Sequence, residues 1–136
     1  MQYADTGQVL YHTLPSSTGG RVLVFTWQSN TVGVACRRCE TEVEGVLEKF
    51  ESVYRPGSGA PPATYALSFL DELGADWLNG LAASLDPNLV YGQAVYVTLG
   101  SARAREQRVM GRPTFRLVTD TTSRSGVVKL FLRPMG

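Results

Sequence analysis

Two cysteines separated by two residues are the side chains of this sequence best suited to chemistry. Cys36 and Cys39 enclose Arg37 and Arg38. In such a pair one thiolate attacks a disulfide, and the second thiol resolves the mixed disulfide that forms. Neighbouring cations and the N-terminus of a helix lower the pKa of a cysteine and so favour the attacking thiolate. We therefore expect Cys36 to attack and Cys39 to resolve, at the start of a helix.

Two other interpretations of the cysteine pair stay open. Zinc takes four protein ligands in a structural site, and the sequence offers two cysteines and one histidine, so a metal site would have to bridge two chains. The two thiols also fit incidental buried residues, because cysteine packs like a small apolar side chain. His12 lies within an apolar stretch and is expected to be structural. The sequence predicts no metal and no cofactor.

The elements that must position the cysteines begin with strands. Residues 9–14 are rich in strand-forming residues, and residues 22–27 form a continuous apolar run, typical of a central strand covered on both faces. The run at residues 32–35 fits a strand or a loop. Between 38 and 54 the apolar residues recur with a period of about 3.6, which predicts a helix: Val43, Val46, Leu47, Phe50, Val53 and Tyr54.

The second half of the chain predicts more helix and three further strands. Apolar residues at helical spacing between 65 and 85 predict one broken helix or two short ones. Residues 94–99 predict a strand, and Ser101 fits the cap of a short helix reaching residue 109. Residues 113–118 and 127–132 predict two strands of one hairpin, joined by a turn at 120–126.

The segment Gly111-Arg112-Pro113-Thr114-Phe115, taken with the cysteine pair at a helix after an apolar strand, resembles the thioredoxin-like family. The resemblance covers about residues 20–54 and 93–132. It implies an α/β three-layer sandwich with a mixed central sheet, a helical insertion at about 56–90 and no terminal helix, within one domain over residues 1–136. It also implies a cis peptide bond before Pro113, beside the cysteines. The catalytic residues would then be Cys36, Cys39, Arg112 and Pro113.

Charge is distributed unevenly along the chain. Residues 1–90 carry five basic and ten acidic side chains, whereas residues 91–136 carry eight basic and two acidic ones. Opposite charges of this kind suit a homodimer through oppositely charged faces. On the predicted helix, arginines would form a basic ridge: a solvated face, a docking surface for an acidic partner, or a phosphate-binding surface. The candidate binding residues are Arg37, Arg38, Arg103, Arg105 and Arg108.

Composition limits the class of protein. With 136 residues, of which 43% are hydrophobic and 18% charged, the chain suits one soluble domain with its own core. No stretch approaches the roughly 18–20 apolar residues of a membrane span. The opening residues do not resemble a signal sequence, so we expect a cytoplasmic location. No aromatic residues interleave with the arginines, which argues against nucleic acid as the partner.

Two functions follow as hypotheses. The first is a thiol-disulfide oxidoreductase or redox sensor in which Cys36 and Cys39 act on a protein disulfide or thiol. The second is a non-catalytic protein-interaction module on the same fold, which binds through the helical insertion or through the arginine-rich segment 103–116.

Overall fold

Strands make up all of the regular structure among the residues that the structure of this protein describes. A computed structural model describes residues 7–15, 19–55, 64–94, 96–99, 103–120 and 124–134. These ranges contain no helix, so none is long and apolar enough to span a membrane. The expected α/β thioredoxin-like sandwich is therefore wrong. The strands are β1 (Gln8–Pro15), β2 (Arg21–Gln28), β3 (Val34–Arg38), β4 (Val43–Arg55), β5 (Ala66–Leu70), β6 (Tyr91–Ala94), β7 (Tyr96–Leu99), β8 (Arg103–Gly111), β9 (Thr114–Val118) and β10 (Ser125–Arg133).

The strands form two sheets in which every pair of neighbours is antiparallel. The larger sheet has the order β1-β2-β10-β4-β8-β7, and β6 also pairs with β4. The smaller sheet has the order β3-β9-β5. The expectation of a mixed central sheet is therefore wrong, because all of the strand pairs are antiparallel. β2 lies between β1 and β10, near one edge of the larger sheet rather than at its centre.

One core lies between the two sheets. Alternate residues of each strand point inward, and phenylalanines from both sheets meet there. The ring of Phe25 on β2 stacks on that of Phe115 on β9, with centroids 5.3 Å apart, and lies 5.1 Å from that of Phe69 on β5. All three side chains are fully buried. These contacts join the sheets into a β-sandwich.

A β-bulge explains why β4 has the sequence periodicity of a helix. Glu48 has no partner in β10, because the register shifts at that point. Inward-facing residues therefore lie at odd positions before the bulge and at even positions after it. The buried residues Val43, Leu47, Phe50 and Tyr54 are consequently spaced by four, three and four positions. That spacing is also the spacing of one face of a helix, so the predicted helix at 38–54 is wrong.

Aspartate side chains hold residues 71–80 in turns rather than in a helix. The carboxylate of Asp71 accepts hydrogen bonds from the N–H groups of Leu73 and Ala75, at 2.8 and 2.9 Å. The carboxylate of Asp76 accepts three more, from Phe69, Leu78 and Gly80. Aspartate competes with helix formation by this kind of local bonding. The predicted helical insertion at 56–90 is therefore wrong over residues 64–90, and residues 56–63 lie outside the described ranges.

Several predicted strands are confirmed, although their pairing is not. The strands expected at 9–14 and 22–27 are β1 and β2, and the run at 94–99 contains β7. The strands expected at 113–118 and 127–132 are β9 and β10. These two belong to different sheets, so the predicted hairpin is wrong. The short helix expected at 101–109 is also wrong where it is described, because residues 103–109 belong to β8.

Phe115→Ala should destabilise the protein strongly, because Phe115 fills the space between the sheets. We expect the free energy of unfolding to fall by about 3–5 kcal/mol, the usual cost of removing a buried phenylalanine ring. Leu73→Ala is the control, since Leu73 is 95% exposed, and it should change stability by less than about 0.5 kcal/mol. Urea unfolding measures both. Equal midpoints for the two variants would contradict the assigned core.

Candidate functional site

Cys36 lies on a strand and Cys39 directly follows it in the same extended direction, which places the two side chains on opposite faces of the smaller sheet. Cys36 belongs to β3, and Cys39 follows the last residue of that strand. Successive residues of a strand point to opposite faces, so positions three apart never share one. Cys39 is 2% exposed and belongs to the core, whereas Cys36 is half-buried on the outer face. The predicted arrangement of two thiols on one helix face is therefore wrong.

Pro113 lies beside the cysteine segment, as the resemblance implied, but through different geometry. β3 and β9 pair so that Arg38 lies opposite Thr114. The N–H of Cys39 donates a hydrogen bond of 2.8 Å to the carbonyl oxygen of Pro113, directly before β9. The described residues include no cis peptide bond, so the expected cis bond before Pro113 is wrong. The structure brings the two motifs together by strand pairing.

Burial disfavours the thiolate form of both cysteines. It raises the pKa of Cys39 to about 11, although the positive charge of Arg37 partly offsets the effect. Burial also raises the pKa of Cys36, and the positive charge of Arg116 offsets part of that rise. No helix N-terminus is present to lower either value, because the motif is on a strand. Burial therefore opposes the acidic, attacking thiol that we expected at Cys36.

Arg37 ties the smaller sheet to the edge of the larger one. Its guanidinium lies over the ring of Tyr11, with the central carbon 4.8 Å from the ring centroid. Its Nη1 donates to the carbonyl oxygen of Val9 at 2.7 Å, and its Nη2 donates to Glu40 at 3.3 Å. The N–H of Glu40 in turn donates to the Tyr11 hydroxyl at 2.6 Å. Arg37, expected to bind a ligand, thus has a structural role.

Arg38 and Arg112 line an open groove of about 560 Å³ on the surface. Arg38 forms an exposed ion pair with Glu72, with 3.4 Å between Nη2 and Oε1. Arg112 is exposed between β8 and β9. The cation that acts on Cys36 is instead Arg116, its cross-strand partner. Sequence reasoning missed that role, because it depends on a pairing between residues eighty positions apart.

The remaining predicted binding residues, Arg103, Arg105 and Arg108, lie along β8, which pairs in two separate halves. Residues 107–111 pair with residues 43–47 of β4, whereas residues 103–106 pair with residues 96–99 of β7. The predicted ridge of arginines on one side of a helix is therefore wrong, because these residues lie on a strand. Arg108 lies in the half that is anchored to β4 and is exposed. Arg103 and Arg105 lie in the half that pairs with β7.

The paired segments 96–99 and 103–106 are called here the β-ribbon. The stretch of β4 that would continue alongside it, residues 49–52, pairs with β6 instead. Within the described part of the chain, the two strands of the β-ribbon pair only with each other. Both edges of the ribbon are therefore open among the described residues. The ribbon begins at Glu106, directly before the half of β8 that pairs with β4.

The comparisons with known proteins match nothing. No protein-family model, curated protein or solved structure matches the chain. In the described ranges, no three histidine, cysteine or acidic side chains are grouped so that they could hold a metal ion.

Oxidation of the folded protein should not join Cys36 to Cys39. Three steps along a strand separate two Cα atoms by about 10 Å, whereas a disulfide needs about 4.4–6.8 Å. Both residues are thiols in this structure. We expect mass spectrometry after treatment with diamide to find the intramolecular disulfide only when urea has unfolded the chain. A disulfide formed at the same rate in the folded protein would contradict this placement.

Cys39→Ala should make the protein less sensitive to alkali. A thiol whose pKa rises on folding from 9.0 to about 11 stabilises the fold fully below pH 9, and that contribution is lost as the pH rises towards 11. Between pH 8 and pH 11 the wild type should lose about 2 kcal/mol more stability than Cys39→Ala. Urea unfolding at both pH values measures the difference. Equal losses would show that Cys39 is not buried as a neutral thiol.

Proposed function

We propose that this protein is a non-catalytic interaction module that uses the β-ribbon to bind an acidic protein surface. The observation that supports this proposal is the pairing of the ribbon strands with each other alone. A two-stranded hairpin is marginally stable by itself in water, and an open strand edge is a template for another chain. A partner that covers the ribbon would satisfy both of its edges.

Charge supports an acidic partner. The sequence of the ribbon includes Arg103 and Arg105 against the single acidic residue Glu106, and the whole of residues 91–136 has six more basic than acidic side chains. The chain itself offers a complementary surface at residues 40–48. Four glutamates of that segment are exposed: Glu40, Glu42, Glu44 and Glu48.

A second copy of the chain is therefore the partner that we propose for the ribbon. The ribbon and the glutamate segment are different surfaces, so the contact is heterologous and each copy can both give and receive a ribbon. Such contacts produce rings or open chains of subunits. The attraction is between exposed charges, so salt should weaken it.

Thiol-disulfide exchange has less support than the interaction module. The raised pKa of both thiols leaves little thiolate near neutral pH, and the two cysteines occupy opposite faces of a sheet. The helical insertion, the other route to a protein partner, has no helix over residues 64–90. The arginine-rich segment remains as the binding element. Two reduced cysteines are also compatible with the proposed cytoplasmic location.

Removal of the ribbon should abolish the salt-sensitive self-association of the chain. Tyr96 and Glu106 are opposite each other in the register, so an Asn-Gly turn in place of residues 97–105 closes the hairpin there and keeps the half of β8 that pairs with β4. We expect sedimentation velocity to show assemblies of the wild-type chain at about 50 mM salt, and their loss at about 500 mM. The shortened variant should show neither the assemblies nor the salt dependence.

A pair of matched double variants tests the role of charge. Arg103→Ala/Arg105→Ala should weaken the salt-sensitive association about tenfold or more. Arg38→Ala/Arg112→Ala removes the same charge from exposed positions away from the ribbon and should leave the association within about threefold of the wild type. Equal effects of the two would mean that net charge, not the ribbon, drives assembly. A wild-type chain without salt-sensitive association would contradict the proposal.

A further inference from the structure

The outer face of the larger sheet, the side turned away from the smaller sheet, has an unusual composition. Residues of β1, β2, β10 and β4 that alternate with the core residues form this face. Three of its apolar side chains are largely exposed: Leu10 at 56%, Leu14 at 45% and Val53 at 36%. The face also contains four further apolar side chains: Val22, Val127 and Phe131 are half-buried, and Val24, near the middle of the sheet, is buried at 7% exposure.

No strand or turn of the described part of the chain packs over this face; Lys49, which pairs with Glu51 at 3.4 Å, lies over the Phe131 ring, with 4.4 Å from its Nζ to the ring centroid. The smaller sheet occupies the opposite side, where Phe115 stacks on Phe25. The outward-facing residues of a sandwich are ordinarily polar. The continuous apolar run of β2 predicts a strand covered on both faces. In a single copy of the chain, the smaller sheet covers only the inner face of β2. The outer face therefore has the composition of an interface.

The strand register arranges the outer face in rows that run across the four strands. The rows on either side are mainly apolar, and the row between them ends in His12 on β1 and in Glu51 on β4. In the order β1, β2, β10, β4, the three rows are Leu10, Thr26, Val127 and Val53; His12, Val24, Lys129 and Glu51; and Leu14, Val22, Phe131 and Lys49.

We propose that two copies of the chain pack through these faces to form a dimer. The two-fold axis is parallel to the strands and lies between β2 and β10, so that β1 of each copy faces β4 of the other. Leu10 then lies opposite Val53 of the partner subunit, and Val22 lies opposite the partner's Phe131. His12 lies opposite the partner's Glu51, where its imidazole can donate a hydrogen bond to the carboxylate.

Charge complementarity selects this arrangement over the other two-fold packing of the same faces. An axis perpendicular to the strands would keep each strand opposite its own copy. Lys129 would then face Lys129 of the partner subunit, and Glu51 would face the partner's Glu51. Like charges set against each other in an interface cost several kcal/mol. With the axis along the strands, Lys129 faces Val24 of the partner subunit, and Glu51 faces the partner's His12.

This dimer does not rest on the proposed function of the β-ribbon. It uses different residues and is isologous, because the same surface of both copies takes part. Its contacts are mainly apolar, so its affinity should depend little on salt, unlike association through the ribbon. The two kinds of association are therefore separable in one preparation.

A charge exchange across the interface tests the dimer. The full-length wild-type chain should sediment as a reversible dimer of 14.8 kDa subunits. Leu10→Glu and Val53→Lys should each raise the dimer dissociation constant about tenfold or more. The double variant Leu10→Glu/Val53→Lys should return to within about threefold of the wild type. Within one copy these positions are three strands apart, about 14 Å, so an ion pair inside the chain cannot explain the recovery.

Two controls separate the dimer from misfolding and from the ribbon. Leu73→Glu places the same charge at a residue that is 95% exposed and lies off this face, and it should leave the dissociation constant unchanged. The series is repeated in the Arg103→Ala/Arg105→Ala background, where association through the ribbon is weakened. Circular dichroism and thermal melting establish that each variant folds. A monomeric wild type, or a double variant as weak as either single variant, would overturn the proposal.

Discussion

Stacking of Phe25 on Phe115 between two antiparallel sheets is the contact on which the rest of the structure depends. It joins strands that are ninety residues apart in the sequence, and Phe69 packs against both rings. Once these rings define the inside of the sandwich, alternation along each strand decides which side chains face the core and which face outward. Cys39 falls inside by this rule, whereas Cys36 and the apolar rows of the larger sheet fall outside.

The same alternation changes the surroundings in which the cysteine pair would have to act. A C-x-x-C pair exchanges disulfides when both sulfurs share one face of a helix turn and when the helix N-terminus lowers a pKa. On β3 the sulfurs point apart, and burial raises both pKa values. Arg37, which a catalytic motif would aim at a substrate, instead links the two sheets through Tyr11 and Val9.

Two open surfaces give the molecule its proposed role in assembly. Within the described residues the β-ribbon has no third strand beside it, and the outer face of the larger sheet has apolar side chains on all four of its strands. The β-ribbon is basic, and its proposed contact is sensitive to salt. The outer face is mainly apolar, and its proposed contact is with the same face of a second copy. A heterologous contact and an isologous one on the same subunit generate extended assemblies. Together, the two surfaces suit the proposed role of a subunit that assembles with its own copies.

The sequence by itself determined the strands at 9–14, 22–27, 113–118 and 127–132 and the concentration of basic residues after position 90. Strand alternation and charge are local properties, which a short window of residues records. Only the tertiary structure decided that β4 is a strand, because the bulge at Glu48 gives it the spacing of a helix. Only the tertiary structure placed β9 and β10 in different sheets and put Arg116 opposite Cys36. Such pairings join distant residues, and no local pattern encodes which strands will meet.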